Sequence, residues 1–251
     1  MGGMELSTNL PYRLVNEAGP APMVIICDHA SNRVPPGYGD LGLPAAAFER
    51  HIAWDIGAAA ITEILAQRFD APAVLSTVTR LLVDCNRGFE DPNLTPAVSD
   101  GTEVPANRGI TQEERETRWR TYHQPYHAAI AQAIDRKLAS GRGPMVLSIH
   151  SMAPALRGIA RPWQIAVCWD NDSRLSAPML AALRARAGIV VGDNEPYSLD
   201  PNEDYSVPLH ATRRGLKHLM IEFRQDEIAD AAGQRRWAKL FGDCLEHVLS
   251  R

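Results

Sequence analysis

The fold turns on the stretch MVIICDHASNRVPPGYG, residues 23–39. Met23 to Cys27 is an unbroken apolar run rich in β-branched residues, and it stops abruptly at Asp28 and His29. Asn32, Pro35, Pro36, Gly37 and Gly39 then supply loop chemistry, so the segment reads as a buried strand feeding a polar loop.

The same kind of unit recurs further along the chain. Asp55 precedes IGAAAITEILAQRF (56–69), in which Ile56, Ala60, Ile61, Ile64 and Leu65 recur at helical spacing. Asp55 therefore stands at a helix start, where its carboxylate is placed to cap the helix. Residues 73–84, AVLSTVTRLLVD, predict one or two strands ending in the polar CNRGFEDPN, and Pro96 to Gly109 has the composition of a long surface loop. Thr111 with Glu114 forms a capping-box pattern opening a long helix that kinks at Pro125 and ends at Gly141. Met145 to Ile149 is a further strand running directly into His150, Ser151 and Met152. Beyond it the pattern predicts strands at Gln164–Trp169, 189–191 and Leu219–Phe223, the last carrying Glu222, and a helix at 176–187. The closing helix, Asp230 to Leu249, carries Trp237, Leu240, Phe241, Leu245 and Leu249 near one face, as a helix covering a sheet should. Strands alternating with helices predict an α/β chain, read as a single three-layer α/β/α domain over residues 1–251 with a mixed, largely parallel sheet.

Charge and composition narrow the function. With 26 basic and 30 acidic residues and a net charge of -4, the chain offers no basic field for a nucleic acid backbone. No apolar run approaches the ~20 residues that span a bilayer, and MGGMELSTNLPYR lacks the layout of a signal peptide. A soluble, cytoplasmic protein with neither nucleic acid nor membrane as partner is expected. Cys27, Cys85, Cys168 and Cys244 are widely separated with no CxxC pair, which fits a reducing compartment, and no Cys-His signature supports a thiol nucleophile.

Open α/β sheets bind ligands outside the carboxyl ends of their strands. There this sequence sets Asp28 and His29, then Asp84, Asn86 and Arg87, then His150, then Glu222. Imidazole and carboxylate donors suit zinc or a neighbouring divalent ion, and a catalytic zinc usually takes three protein ligands and leaves a fourth position for water. His29 and His150 are the nitrogen donors. Asp55 is the first choice for the carboxylate, with Asp84 and Asp28 as alternatives, and Glu222 suits the base that takes the proton of water. Each residue also has a plainer reading. A strand-end His is often a satisfied polar group, Asp55 a helix cap, Asp84 the orienter of Arg87 or of a histidine, and Glu222 an ion-pair partner of Arg224 on the same strand face. His210, in VPLHATRRG, is a candidate supporting residue, the other histidines have weaker claims, and Asn194 and Tyr197 in DNEPYS stay outside the catalytic set.

The segments VIICDHASNRVP, HIAWDIGA, RLLVDCNR, LSIHSM, NEPYS and IEFRQD, in this order, resemble the N-formylglutamate amidohydrolase family and together span most of the chain. The resemblance implies a phosphorylase/hydrolase-like fold similar to the zinc carboxypeptidases. DHASN then stands where that group has a His-x-x-Glu metal motif, CNR matches its substrate-binding Asn-Arg pair, SIHS its second metal histidine and IEFRQD its catalytic glutamate. Asn32 occupies the place of the metal-binding Glu and is a poor ligand, so that role passes to Asp55, which aligns with the Asp of an Asp-Trp motif. What the resemblance implies is a Zn2+-dependent hydrolase of an N-acyl acidic amino acid, N-formyl-L-glutamate first. Glu222 serves as base and acid, and Asn86 with Arg87 holds the substrate carboxylate. Arg80, Arg161 and Arg224 are further candidates, since a carboxylate calls for planar bidentate donors. Another N-acyl amino acid, a small peptide, or a non-catalytic binding module on the same fold are the alternative readings.

Overall fold

Met23, Ile25 and Cys27 point to one side of their strand and Val24 and Ile26 to the other, and all five are buried, so this strand has to lie inside a sheet covered on both faces. In the computed structural model, which describes residues 10–141 and 143–250, it does. The strands are β1 (Tyr12–Val15), β2 (Met23–Cys27), β3 (Ala73–Ser76), β4 (Val98–Ser99), β5 (Thr102–Glu103), β6 (Met145–Met152), β7 (Ala155–Leu156), β8 (Ile159–Ala160), β9 (Ile165–Cys168), β10 (Val191–Asp193) and β11 (His218–Arg224). Seven of them form one sheet in the order β1-β3-β2-β6-β11-β9-β10, while β4-β5 and β7-β8 are small ribbons. The neighbours from β3 through β2 and β6 to β11 run parallel, as do β9 and β10, whereas β1 pairs antiparallel with β3 and β9 with β11. The sheet is thus mixed and largely parallel, as the sequence predicts.

Among the described residues six α-helices complete the layers: α1 (Ala58–Phe69), α2 (Gln112–Arg118), α3 (Gln124–Ala139), α4 (Ser173–Arg184), α5 (Ser206–His210) and α6 (Ala231–Leu249). Helices α1, α4 and α6 bury Ile61, Leu65, Met179, Leu183, Trp237 and Phe241 against Ile25, Leu147, Ile149, Val167, Ile221 and Phe223. On the other face, Tyr126, Ile130 and Ile134 of α3 and Val207 of α5 cover Val24, Ile26, Val74, Val146 and Met220. Among the described residues no helix is long and apolar enough to cross a membrane.

Four local expectations are corrected. Only β3 forms within 73–84, because Leu81 and Leu82 leave the sheet and pack with Leu41, Leu43, Ile52 and Val104 in a core of their own. Asp84, Asn86 and Arg87 consequently sit in a turn rather than at a strand end. Helix α1 begins at Ala58 after Gly57, whose φ of 82° sets the turn, and no side chain caps it, so Asp55 is not a cap. The long helix after Thr111 is split into α2 and α3 by a single π turn, Trp119–His123, just before Pro125. Thr111 Oγ1 does accept the Glu114 N–H, at 3.1 Å. Strand β6 continues through His150 to Met152 instead of stopping before it.

Candidate active site

Alternation along the strands builds the site. Val146, Ser148 and His150 share the face of β6 that looks toward α3, and Met220 and Glu222 share that face of β11. In register, Glu222 lies beside His150. Residues near the amino ends of these strands pack under α3, and those near the carboxyl ends open into a cavity of about 160 Å³. His29, Asp55, Arg80, His150, Tyr197 and Glu222 are among its lining residues. His29 follows β2 by two residues. Asp55 arrives from the turn before α1, fixed by its own N–H bonding to the His29 carbonyl at 2.9 Å.

Three side chains converge: His29, Asp55 and His150 each offer a donor atom within 4.8 Å of the others. His29 Nδ1 lies 3.4 Å and His150 Nδ1 3.0 Å from Asp55 Oδ2, which also accepts the Ser151 N–H at 3.2 Å. The opposite ring nitrogens face carboxylates. His29 Nε2 is 2.7 Å from Asp84 Oδ1, and His150 Nε2 is 3.3 Å from Asp28 Oδ2, off the hydrogen-bond axis, and 3.1 Å from Ser148 Oγ. A carboxylate only accepts, so His29 gives its Nε2 proton to Asp84 while both Nδ1 atoms face Asp55, where each meets the carboxylate through a ring proton or through a cation in its place. One carboxylate oxygen between two imidazole nitrogens is an arrangement that a shared cation satisfies as well as ring protons do. Ligands about 2.0–2.1 Å from a tetrahedral zinc stand roughly 3.3 Å apart, close to both observed spacings. The donor set and its outer carboxylates therefore fit a divalent cation.

The site's charges shift every one of these groups. Burial pushes the Asp28, Asp55 and Asp84 carboxyls up, but the neighbouring imidazoles, and for Asp84 the Arg80 guanidinium as well, outweigh it and hold all three below the ordinary range. Burial pulls the His29 and His150 rings down, and the surrounding carboxylates more than reverse it. Glu222 is the exception, since burial raises its carboxyl to about 7, and among the described residues its Oε2 has no hydrogen-bond partner.

The other candidates fall into three places. Arg80 lines the cavity, held by Asp84 at 3.0 Å and Asp55 at 3.5 Å. Asn86 and Arg87 also line it and are tied to the turn before α5: Asn86 Nδ2 donates to Asp204 Oδ1 at 2.8 Å, and Arg87 Nη1 donates to the Glu203 carbonyl at 2.6 Å. Arg161 stands behind Tyr197, donating to its hydroxyl. Arg224 is turned away. It pairs with Asp226 at 2.7 Å and Glu227 at 3.3 Å, and so does not pair with Glu222 on its own strand. Asn32 donates to the Phe48 carbonyl at 2.9 Å and does not line the cavity. His210 Nε2 lies 2.9 Å from His127 Nδ1, in a buried histidine stack away from the cavity.

Sequence reasoning passed over His51 and Tyr197. His51 Nδ1 lies 3.4 Å from Asp55 Oδ1 and accepts from Gln225 Nε2 at 2.7 Å, and its position four residues before Asp55 in HIAWD was the available signal. Tyr197 belongs to the NEPYS segment of the resemblance, but Asn-Glu-Pro is also ordinary turn chemistry, which kept it out of the catalytic set.

Over residues 21–229 the sequence matches the N-formylglutamate amidohydrolase family. A gene product of Agrobacterium tumefaciens of known structure is 34% identical, with a TM-score of 0.93 over 96% of this chain and 96% of that one. The N-formylglutamate amidohydrolase of Ralstonia eutropha JMP134 is 20% identical, with a TM-score of 0.68 over 96% of this chain and 99% of that one, a likeness of fold. Among curated proteins none matches.

Proposed function

Because the chain belongs to the N-formylglutamate amidohydrolase family, we propose that it hydrolyses the amide C–N bond of N-formyl-L-glutamate, releasing formate and L-glutamate. One observation carries the proposal: a buried carboxyl with an unpartnered oxygen, Glu222 Oε2, stands beside the convergent donors of His29, Asp55 and His150.

The chemistry that Zn2+ supplies when held by those three residues is a water acidified toward a pKa of ~7 and a polarised substrate carbonyl. The chain's own groups do the rest. Glu222 Oε2 accepts a proton from the attacking water as the water oxygen bonds to the formyl carbon. The same oxygen returns that proton to the nitrogen as the C–N bond breaks, so the departing amine leaves neutral. A carboxyl near 7 is suited to both transfers, because neither protonation state is strongly disfavoured at neutral pH. Asp84 holds the outer nitrogen of His29, and Ser148 Oγ, with the Asp28 carboxylate nearby, holds that of His150, so both rings are set with Nδ1 inward. Arg80, bridging Asp84 and Asp55, limits the negative charge gathered around Glu222. The four cysteines are buried and unpaired, which supports a reducing, cytoplasmic setting.

The test is release of L-glutamate from N-formyl-L-glutamate. The wild type is expected to turn over in the presence of zinc, to stop after chelation and to recover on readdition. Glu222→Gln is expected to lose at least ~10³-fold in kcat while keeping its metal. A wild type that spares N-formyl-L-glutamate while cleaving another acyl amino acid would refute the substrate, and full activity in Glu222→Gln would refute the mechanism.

A further inference from the structure

We propose that the substrate carboxylate is received by Arg161 together with the Tyr197 hydroxyl, and not by the Asn86–Arg87 pair; the inference rests on the amidohydrolase reading above. The other arginines considered for the substrate already have anions of their own. Arg80 pairs with Asp84 and Asp55, Arg87 with Asp91 at 3.6 Å and Asp204 at 3.9 Å, and Arg224 with Asp226 and Glu227. Arg161 is only 6% exposed, yet among the described residues no carboxylate reaches it. Its guanidinium meets the Tyr197 hydroxyl and, at 3.5 Å, the Ala153 carbonyl. A buried cation without an anion is costly to a fold, and a fork with most of its N–H donors unspent is the shape that takes a carboxylate bidentately.

The competing pair is largely committed elsewhere. Asn86 Oδ1 accepts the Tyr205 and Ser206 N–H groups at 2.9 and 3.0 Å while its Nδ2 donates to Asp204, which leaves the carboxamide a single N–H to offer. Asp204 and Glu203 both line the cavity on that side, so the wall near Arg87 already carries two acidic residues and repels a further carboxylate.

Arg161 is held for the task. Its N–H donates to the Pro154 carbonyl at 2.9 Å, and its own carbonyl accepts from Arg224 Nη1 at 3.1 Å, which gives Arg224 a positioning role. The guanidinium carbon lies 4.8 Å from the centre of the Tyr197 ring; Tyr197 lines the cavity and Arg161 lies just behind it, outside the lining, so a substrate carboxylate meets the guanidinium beside the phenol. Since the phenol oxygen accepts from Arg161, its own proton is free for a carboxylate oxygen.

The experiment compares kcat/KM for N-formyl-L-glutamate with that for its two monoamides, N-formyl-L-glutamine and the α-carboxamide. Arg161→Met is expected to lower kcat/KM for the diacid by about 30–100-fold, mostly through KM, and to change one monoamide by less than about threefold. Arg161→Lys should recover only part, lacking the fork, and it carries the test if the Met variant does not fold. Tyr197→Phe should show a smaller loss in the same direction. Arg87→Met should lose activity equally on charged and uncharged substrates. Equal losses on all three substrates in the Arg161 variants, or charge-selective loss in Arg87→Met, overturns the inference and leaves the function standing. Calorimetric binding of L-glutamate separates the two claims. If the wild type binds it, Arg161→Met weakens it at least 30-fold, and no N-formyl amino acid is hydrolysed, the inference stands and the function falls; unchanged binding overturns the inference.

Discussion

Asp84 and Asp28 show how much of this site is decided one atom beyond the inward-facing donors. Asp84 Oδ1 takes the Nε2 proton of His29 at 2.7 Å and also the Asn86 N–H at 2.8 Å, so the ring is fixed to a backbone turn. Asp84→Asn should reduce zinc affinity about 10–100-fold, read by competition with a chromophoric chelator, with little change in thermal stability. Unchanged affinity would leave Asp84 as a partner of Arg80 alone. His29, His150 and Glu222 were legible in the sequence because a charged or imidazole side chain in or beside an apolar run is conspicuous. The commitments of Asn86 and Arg87 were not, because they are made to Asp204 and Glu203, 118 and 116 positions away. A motif shows which donors exist and not whether the chain has already used them.

At the scale of elements, the turn from Asp55 into α1 is the joint that aims the carboxylate. Gly57 has φ of 82°, and a Cβ there would meet the Ile228 carbonyl oxygen at 2.5 Å, so both the backbone conformation and the space require glycine. Gly57→Ala should cost roughly 1–3 kcal/mol in denaturant unfolding and lower zinc content along with it, since Asp55 lies two residues away. A variant with wild-type stability would show that the turn relaxes freely. Strands β2, β6 and β11 and helix α6 were readable, because their apolar runs are bounded by clear breaks. Residues 73–84 were not: Leu81 and Leu82 satisfy the same apolar pattern by packing on Ile52 and Val104, outside the sheet. The edge strand β1 was missed because its residues are only partly buried and show no alternation.

Across the whole molecule, three histidines stack between α3, α5 and the Asp84 turn. His127 bridges His210 at 2.9 Å and the Cys85 carbonyl at 2.8 Å, while the His123 and His127 rings lie 4.2 Å apart. Burial holds His127 down to about 4 and His210 to about 3, so both are neutral in the fold. Their pKa values are lower folded than unfolded, so the unfolded chain binds more protons in this range. Their stabilising contribution is complete above 6.5 and is lost as pH falls toward 4. Glu222, raised by burial, acts in the opposite sense, so the test is a difference between proteins. Thermal unfolding of His127→Gln should lose less stability than the wild type between pH 6.5 and 4. Parallel profiles would remove the stack as a source of acid sensitivity. The sheet class followed from strand–helix alternation, but the position of β9 beside β11, antiparallel and out of chain order, depends on contacts that no local pattern encodes.

The most direct measurement is a calorimetric titration of the zinc-free protein with Zn2+, run on the wild type and on the His29→Ala, His150→Ala double variant. One ion per chain in the wild type and none in the double variant is the predicted result. A wild type that takes up no zinc, or a double variant that binds it equally tightly, would contradict a cation held by His29, Asp55 and His150.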